Sequence, residues 1–252
     1  MLEQFSLNGR RAIVTGGGGA IGSAISAALY EAGSDVAILG RSDTVYTAAA
    51  SVGKPERPVY AVMCDLTKRE ALRAGFAEAL EKLDGIDILV ACHGIVNAGD
   101  TISLESAIWD ETLESNLNSV FLLCQLAGAP MMAQGYGKII TIASLLSFSG
   151  GLRAAAYAAS KGGVAQLTKA LANEWSSKGI NVNAIAPGYV KTNLNKHIWT
   201  DPARSEQILA RLPAGRWGEP DDFKGAVVFL ASSASDYVHG IVLPVDGGWL
   251  AR

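Results

Sequence analysis

The segment TGGGGAIG, residues 15–22, lies between a short apolar run, residues 11–15, and an alanine-rich stretch, residues 20–32. Glycines let the backbone turn tightly and approach a pyrophosphate without Cβ atoms in the way. A helix that begins directly behind such a loop offers free N–H groups and the positive end of its dipole to the anion. A flexible glycine-rich turn could have the same composition, but the strand–loop–helix order favours a dinucleotide site. The cofactor residues predicted here are Gly16, Gly18, Gly19, Ala20, Ile21 and Gly22.

Short β-branched runs alternate with longer helical patterns along the rest of the chain. They predict strands at residues 11–15, 36–39, 59–63, 86–91, 138–142, 180–185 and 242–245. Helices are predicted at residues 20–32, 69–83, 113–134 and 155–177. Alternation of this kind predicts an α/β fold, a Rossmann-type doubly wound parallel sheet of about seven strands with helices on both faces.

The alternation continues from one end of the chain to the other without a linker rich in proline or serine. It predicts a single dinucleotide-binding and catalytic domain over residues 1–252. The longest irregular stretch, about residues 188–220, follows the sixth predicted strand. Ligands of open parallel sheets bind at the carboxyl ends of strands, so this stretch is predicted to be the substrate loop.

Composition and charge exclude several classes of function. The 252 residues carry 21 Lys and Arg against 24 Asp and Glu, a net charge of −3, and the basic residues are scattered. A nucleic-acid partner is therefore not expected. Residues 115–137 are uncharged, but Asn, Gln and Pro interrupt them, so they predict a buried helix and no membrane span. The first residues lack the pattern of a secretory signal, which predicts a cytoplasmic protein.

The cysteines give no sign of a disulfide scaffold or a metal site. Cys64, Cys92 and Cys124 are odd in number and have no CxxC spacing. The three histidines are equally dispersed, and no HExxH occurs. No metal is expected to take part in the chemistry.

The end of the second strand bears on the choice of cofactor. An NAD site usually places an acidic residue there to bind the ribose hydroxyls. This chain has Gly40 at that point, followed by Arg41 and Ser42, and the guanidinium could meet a 2′-phosphate. The alternative is a solvated arginine in a turn. NADP(H) is therefore favoured over NAD(H), with Arg41 and Ser42 as contacts.

Four polar residues suggest a catalytic group. Tyr157 and Lys161 are four residues apart, which places a phenol and an ammonium on one face of a helix. That spacing arises by chance too often to carry weight alone. Ser144, however, follows a predicted strand, and Asn116 lies on the helix before that strand. Their positions make the group a candidate active site.

With Asp65 after the third strand and Pro187-Gly188 after the sixth, these motifs follow one another as they do in a known family. The chain resembles the short-chain dehydrogenase/reductase family over essentially its whole length. The latter half is similar to the branch of 2-deoxy-gluconate 3-dehydrogenase and 2-keto-3-deoxy-gluconate 5-dehydrogenase. The segments that carry this likeness include IASLLSFSGGLR, NEWSSKGINVNAIAPGY, LPAGRWGEP and VDGGWLAR.

The resemblance implies a role for each catalytic residue. Tyr157 would be the general acid in reduction and the base in oxidation, with the Lys161 ammonium shifting its pKa towards neutrality. Lys161 would also hold the nicotinamide ribose. Ser144 would hydrogen-bond the substrate oxygen as charge develops on it. Asn116 would fix a water molecule in a proton relay.

The resemblance also implies cofactor contacts beyond the glycine loop. Asp65, with Leu66, would meet the adenine, although an aspartate before a helix is also a common N-cap. The nicotinamide end would be lined by residues after the sixth strand, which could equally form a simple turn. These residues are Pro187, Gly188, Val190 and Thr192.

The chain departs from the family after the fourth strand. Where the family usually has Asn-Asn-Ala-Gly, this chain has Ala91-Cys92-His93-Gly94. The first Asn normally braces the central sheet, so another group must satisfy those backbone atoms. His93 and Gly94 are predicted at the cofactor edge. A packed, hydrogen-bonded His93 without a catalytic role is the favoured interpretation.

The substrate loop is polar, which favours a small polar substrate. Arg153, four residues before Tyr157, could pair with a substrate carboxylate, as the sugar-acid resemblance suggests, or could be a solvated arginine. The function expected is the NADP(H)-dependent interconversion of a ketone and a secondary alcohol, with the same chemistry using NAD(H) or acting on an unrelated ketone as the alternative. A catalytically idle dinucleotide-binding protein is a further alternative, and the intact catalytic group argues against it. The family resemblance also implies a homotetramer built through the helices at residues 113–134 and 155–177.

Overall fold

Seven apolar runs form one parallel sheet in the computed structural model, which describes residues 2–252. Their order across the sheet is β3-β2-β1-β4-β5-β6-β7. The predicted Rossmann-type α/β fold is therefore confirmed. In chain order the strands are β1 (Arg11–Thr15), β2 (Asp35–Gly40), β3 (Tyr60–Met63), β4 (Ile88–Ala91), β5 (Gly137–Ile142), β6 (Ile180–Pro187) and β7 (Val242–Val245).

Nine α-helices occur within residues 2–252. They are α1 (Ala20–Glu31), α2 (Thr44–Val52), α3 (Arg69–Leu83), α4 (Ser106–Leu113), α5 (Ser119–Gln134), α6 (Ala155–Trp175), α7 (Lys196–Trp199), α8 (Pro202–Arg211) and α9 (Lys224–Ala231). Within the same residues, no helix combines the length and the apolar character that a membrane crossing demands.

Each face of the sheet has its own buried core. Ile13 of β1 and Leu89 of β4 belong to one cluster with side chains of α3, α5 and α6. The next residues, Val14 and Val90, belong to a second cluster with side chains of α1, α2 and α9. Successive strand residues point to opposite faces, and both faces are covered. This explains why the strands read as unbroken apolar runs rather than as alternating patterns.

The chain reverses its direction across the sheet between β1 and β4. From β1 it proceeds outward through β2 to β3, then returns to β4 on the other side of β1 and continues to β7. Ligands of such sheets bind where the loops at the carboxyl ends of the two central strands diverge. Here these loops carry the glycine segment after β1 and His93 after β4.

The helix predicted at residues 113–134 differs from the one in the structure. The helical segment begins earlier, at Ser106, and is interrupted by a π-turn at Glu114–Asn118 before α5 begins at Ser119. A π-turn is set by side-chain contacts around it, so hydrophobic periodicity gives no sign of it. Asn116 lies within this turn.

The stretch at residues 188–220, predicted to be irregular, contains two helices. Asp201 accepts hydrogen bonds from the backbone N–H groups of Ala203 and Arg204, and Pro202 occupies the first turn of α8. Aspartate followed by proline is a strong helix start, but the polar composition of the segment obscured it. Helix α2 was also missed. Helix α9 begins at Lys224 behind a 3₁₀ turn at Pro220–Phe223.

Candidate active site

The glycine loop forms a cradle that side chains would fill. Gly16 has a φ of +69°, and a Cβ there would come within 2.8 Å of the main chain of His93. A Cβ on Gly22 would collide with the carbonyl oxygen of Gly16. Helix α1 begins behind the loop at Ala20, and its N-cap, Gly19, provides no side-chain hydrogen bond. A bare backbone in front of an uncapped helix start fits the pyrophosphate of a dinucleotide.

The residues after β2 present hydroxyl and guanidinium groups next to this cradle. Gly40 ends β2, and a Cβ there would come within 2.9 Å of the Val45 side chain, so this position is narrow. Arg41 and Ser42 are exposed, and the Ser42 hydroxyl lies 2.8 Å from that of Thr44. These groups leave a polar, cationic edge where an NAD site would have a carboxylate.

Asp65 stands opposite that edge, after β3. Its Oδ1 accepts from the backbone N–H of Thr67 at 3.0 Å and from the Thr67 hydroxyl at 2.7 Å. These hydrogen bonds, with a smaller contribution from Arg41, lower the pKa of Asp65. Because α3 begins only at Arg69, Asp65 holds a turn ahead of the helix rather than its N-cap. Leu66 is buried, so only its backbone can face a cofactor.

Ser144 and the α6 pair Tyr157 and Lys161 meet at the carboxyl end of β5. The Lys161 Nζ lies 5.8 Å from the centre of the Tyr157 ring. The Ser144 hydroxyl accepts from the backbone N–H of Leu146 at 3.1 Å, which fixes its position. A neighbouring hydroxyl, that of Ser147, accepts from the Ser144 N–H at 3.2 Å and donates to the Lys161 carbonyl at 2.7 Å. Ser147 therefore ties the strand end to α6.

Burial dominates the acid–base properties of this group. It raises the pKa of Tyr157, against the opposing effect of a hydrogen bond with Ser144. It also lowers the pKa of Lys161 to about 8. The expected lowering of the Tyr157 pKa by the Lys161 ammonium is therefore not found in the protein alone. A phenol that retains its proton at neutral pH is suited to act as an acid.

Asn116 holds the chain that continues from β4. Its Oδ1 accepts from the Ile95 N–H at 2.8 Å, while its Nδ2 donates to the Ile95 carbonyl at 2.9 Å and to the Ser160 hydroxyl at 3.1 Å. Both amide hydrogens and one acceptor position of the oxygen are thus engaged within the protein. A Cβ on Gly94 would be 3.1 Å from the Asn116 Oδ1 and 3.6 Å from the Lys161 Nζ, so only a glycine leaves this space open.

The side chain of His93 is held between protein hydroxyls. Its Nδ1 lies 2.7 Å from the Thr15 hydroxyl, and its Nε2 lies 2.7 Å from the Ser119 hydroxyl. Burial and the nearby Lys161 charge lower the pKa of His93 to about 3, so the ring is neutral. The Thr15 hydroxyl also accepts from the Cys92 N–H at 3.2 Å. Thr15 and His93 therefore join the ends of β1 and β4, where the family's asparagine is absent.

The segment after β6 closes the other side of the crevice. Pro187 ends the strand, and a Cβ on Gly188 would come within 2.5 Å of the Asp246 Cα, so the two loops are in close contact. Val190 is buried, whereas Thr192 is partly exposed. The Thr192 hydroxyl and N–H both donate to the Asn195 Oδ1, at 2.9 and 3.1 Å.

Arg153 lies between β5 and α6 in a strained conformation. Its φ is +58°, unusual for a residue other than glycine, and its side chain is exposed. Its carbonyl accepts from the Gly99 N–H at 2.9 Å, which joins the loops after β4 and β5. Within the described residues its guanidinium forms no ion pair.

Comparison with known proteins places this arrangement in a family. The family profile described as enoyl-(acyl carrier protein) reductase matches residues 18–250. The 2-dehydro-3-deoxy-D-gluconate 5-dehydrogenase of Bacillus subtilis (strain 168) is 48% identical over 250 residues, covering 99% of this chain and 98% of that protein. The chain belongs to the short-chain dehydrogenase/reductase family.

Solved structures of this family superpose closely on the chain. A protein from Beutenbergia cavernae, solved with bound NADP, is 46% identical with a TM-score of 0.95 and covers 99% of this chain and 100% of its own. A gluconate 5-dehydrogenase from Burkholderia cenocepacia J2315, in complex with NADP and tartrate, is 39% identical with a TM-score of 0.94; the match covers 100% of this chain and 99% of that one. As a short-chain dehydrogenase/reductase, the chain is an oxidoreductase.

Several residues that shape the site of this short-chain dehydrogenase/reductase escaped the sequence analysis. Thr15, Ser119 and Ser147 act only through hydrogen bonds to other site residues. Serine and threonine are too common for their letters to single out such positions. The one available signal was the absence of the family's first asparagine after β4. It indicated that another side chain must bind the backbone there, but it did not identify that side chain.

Proposed function

We propose that this short-chain dehydrogenase/reductase interconverts a ketone and a secondary alcohol with NADP(H), on a polar sugar acid or a related small carbonyl compound. The observation that carries the proposal is the meeting of Ser144, Tyr157 and Lys161 at the sheet edge beside the glycine cradle. Both known relatives named as dehydrogenases above act on sugar acids by their names, which supports the substrate class.

Tyr157 and Ser144 handle the substrate oxygen in this mechanism. When bound, the nicotinamide cofactor supplies the hydride in reduction and accepts it in oxidation. The Tyr157 phenol donates its proton to the ketone oxygen in reduction, and its phenolate removes the hydroxyl proton in the reverse direction. The Ser144 hydroxyl donates a hydrogen bond to the same oxygen as negative charge develops on it. The Leu146 N–H keeps that hydroxyl in place.

Lys161 and Asn116 support the proton transfer. In its charged form, Lys161 stabilises the Tyr157 phenolate left after proton donation, and it would hold the nicotinamide ribose. Because the Asn116 amide hydrogens are both engaged with Ile95 and Ser160, its contribution to a proton relay would come from fixing the turn and its main chain. A water molecule held there would return a proton to Tyr157.

The residues around the crevice fit NADP(H) better than NAD(H). The residues Gly16, Gly18, Gly19, Ala20, Ile21 and Gly22 would hold the pyrophosphate on backbone N–H groups. Arg41 and Ser42 would hold a 2′-phosphate, which an arginine binds through two parallel hydrogen bonds. The adenine would lie at Asp65 and Leu66, and the nicotinamide at His93, Gly94, Pro187, Gly188, Val190 and Thr192. Two solved relatives with bound NADP support this choice.

The substrate would enter between Arg153 and the loop at residues 188–220. The exposed guanidinium of Arg153, four residues before Tyr157, forms no ion pair within residues 2–252 and can pair with a carboxylate on the substrate. Helices α7 and α8 within the loop carry Lys196, His197 and Arg204, which suit a polar substrate. This loop and the Rossmann-type sheet would form one domain over residues 1–252.

The assembly proposed for the enzyme is a cytoplasmic homotetramer. Phe121 is 48% exposed on α5, a helix otherwise rich in buried side chains, and Trp109 on the neighbouring α4 is 37% exposed. Large apolar side chains left at a surface favour contact with another subunit. Light scattering on the purified protein would give four times the chain mass of 26.3 kDa if the proposal is correct.

A single tyrosine variant tests the proposed chemistry. Reduction of keto-sugar acids and simple ketones is measured with NADPH and then with NADH. Tyr157→Phe should lose turnover by about 100-fold to 10000-fold while binding NADPH as the unaltered protein does. Tyr237→Phe, which removes a hydroxyl from a side chain that is 99% exposed, is the matched control. Full activity in Tyr157→Phe, or NADPH binding without turnover of any carbonyl by the unaltered protein, would contradict the proposal.

A further inference from the structure

His93 occupies a junction between the cofactor loop and the turn that carries Asn116. The Thr15 hydroxyl, at the end of β1, lies on one side of its ring, and the Ser119 hydroxyl, at the start of α5, lies on the other. The main chain of His93 itself packs directly under Gly16.

The hydrogen bonds around the ring have one consistent direction. Ser119 donates its hydroxyl hydrogen to the carbonyl of Ser115 at 2.7 Å, so towards His93 it can only accept. With that hydrogen on the Ser115 carbonyl, the arrangement that satisfies every group has the proton of His93 on Nε2 and leaves Nδ1 as the acceptor. Thr15 then donates to Nδ1 and accepts from the Cys92 N–H. Every hydrogen in this series has an acceptor.

A charged ring does not fit the same surroundings. With a proton on Nδ1, the Thr15 hydroxyl would have to accept from both His93 and Cys92 and donate to the Val90 carbonyl, which is 3.5 Å away. The charged group that faces the ring is the buried Lys161 ammonium, and the neighbouring Cys92 thiol is neutral because burial raises its pKa to about 12. The geometry and the charges both favour the neutral form.

The position of the π-turn depends on Ser119, the last side chain in this series of hydrogen bonds. The Ser119 hydroxyl holds the Ser115 carbonyl inside the turn, one residue before Asn116. A π-turn has weaker internal support than an α-helix, so an external brace affects how firmly it is held. Asn116 in turn clamps Ile95 and Ser160, next to Lys161.

We infer that His93 is a positioning residue: its neutral, Nε2-protonated ring braces the π-turn at residues 114–118 and so holds Asn116 in place for proton delivery to Tyr157. The inference rests on the proposed function for its effect on turnover. It concerns the side chain of His93, whereas the contact with the cofactor loop is made by its main chain. Loss of the ring should therefore affect proton transfer more than cofactor binding.

Histidine nitrogen NMR tests the hydrogen-bond arrangement without any need for activity. The protein has three histidines, and His93→Gln identifies the signal of interest. His93 should show a neutral ring with the proton on Nε2 from pH 8 down to pH 5, whereas His197 and His239 serve as internal references. A His93 that takes up a proton in this range, or that carries its proton on Nδ1, would overturn the inference.

Hydrogen exchange and kinetics test the brace itself. In His93→Ala and Ser119→Ala, amides at residues 114–118 should exchange faster, kcat should fall by about 10-fold to 100-fold, and the solvent deuterium isotope effect on kcat should increase. The NADPH Kd should stay within about twofold, because the cofactor loop packs on main chain. His93→Gln, which can still donate to Ser119, should recover part of the loss. His239→Gln, at a histidine that contacts Ser176, is the control.

The double variant His93→Ala/Ser119→Ala shows whether the two residues act together as one brace or affect kcat independently. Residues that act as one unit are not additive, so its kcat should be no lower than that of the worse single variant. Multiplied losses, unchanged exchange at residues 114–118, or a loss confined to NADPH binding would each refute the inference. If the unaltered protein reduces no carbonyl compound, the proposed function fails, while the NMR and exchange results still decide whether His93 braces the turn.

Discussion

The Nζ of Lys161 donates a hydrogen bond of 2.6 Å to the main-chain carbonyl of Ile142, the last residue of β5. An ammonium that is almost fully buried is thereby attached to the edge of the sheet, one helical turn from Tyr157. Burial lowers its pKa to about 8 from the ordinary lysine value of 10.5. The same feature that places Lys161 in the site therefore costs folding free energy at neutral pH.

This cost should appear in the pH dependence of stability. Between pH 8 and 10.5 the unfolded chain binds a proton at Lys161 that the folded protein has released, so stability rises with pH through this window. Relative to Lys161→Met, the unaltered protein should gain about 2 kcal/mol in its free energy of unfolding from pH 7.5 to 10. Urea unfolding of both proteins across this range measures the difference. Burial raises the pKa of Cys92, the cysteine that faces Lys161, to about 12, so this thiol stays protonated up to pH 10 in both proteins. Parallel curves would therefore show that the Lys161 pKa is not lowered.

Two glycine-to-alanine substitutions separate the effect of a Cβ that has no room from the effect of reduced backbone flexibility. Gly22→Ala places a methyl group against the Gly16 carbonyl and should disrupt the cradle, raising the NADPH Kd by about 100-fold or more. Gly225→Ala, at a helical position of α9 with open space around it, should instead raise the free energy of unfolding by about 0.5–1 kcal/mol. Fluorescence titration with NADPH and thermal unfolding measure the two effects. Unchanged NADPH binding in Gly22→Ala would argue against a phosphate cradle here.

Sequence patterns predicted the fold well, because the signals that set it are local. Strands buried on both faces appear as unbroken apolar runs, and β1 and β7 have the predicted bounds. The order of Ser144, Tyr157 and Lys161 relative to strand and helix ends also follows from local pattern. Their proximity in space does not, since it requires the crossing of β5 and α6.

The rest depended on contacts between distant residues. The π-turn before α5 is held by Ser119 and His93, 26 positions apart, and neither letter signals the pairing. The engagement of the Asn116 side chain with Ile95 likewise depends on how the chain leaves β4. Helix α8 is different, because Asp201-Pro202 is a local sequence signal for a helix start. The polar composition of the segment nevertheless favoured an irregular loop.

The identity of residue 41 should control the choice between the two nicotinamide cofactors. Arg41→Ala removes the exposed guanidinium that would bind a 2′-phosphate and should lower kcat/KM for NADPH by about 10-fold to 100-fold, the worth of a charge-assisted hydrogen bond. The value for NADH should change little. Arg73→Ala, at an exposed arginine of α3, controls for a general loss of positive charge. An unaltered enzyme that uses NADH as well as NADPH would show that Arg41 is only a solvated side chain.

A pair of substitutions at Arg153 separates its side chain from its backbone. Both Arg153→Ala and Arg153→Gly remove the guanidinium, so both should raise KM for a keto-sugar acid by about 10-fold while leaving KM for an uncharged ketone unchanged. They should differ in stability. Because residue 153 has a φ of +58°, glycine should be more stable than alanine there by about 1 kcal/mol. Thermal unfolding of the two variants, with kinetics on a charged and an uncharged substrate, gives both answers. If KM for the acid stays constant in both variants, Arg153 does not bind the carboxylate, and its conformation serves only the hydrogen bond between its carbonyl and Gly99.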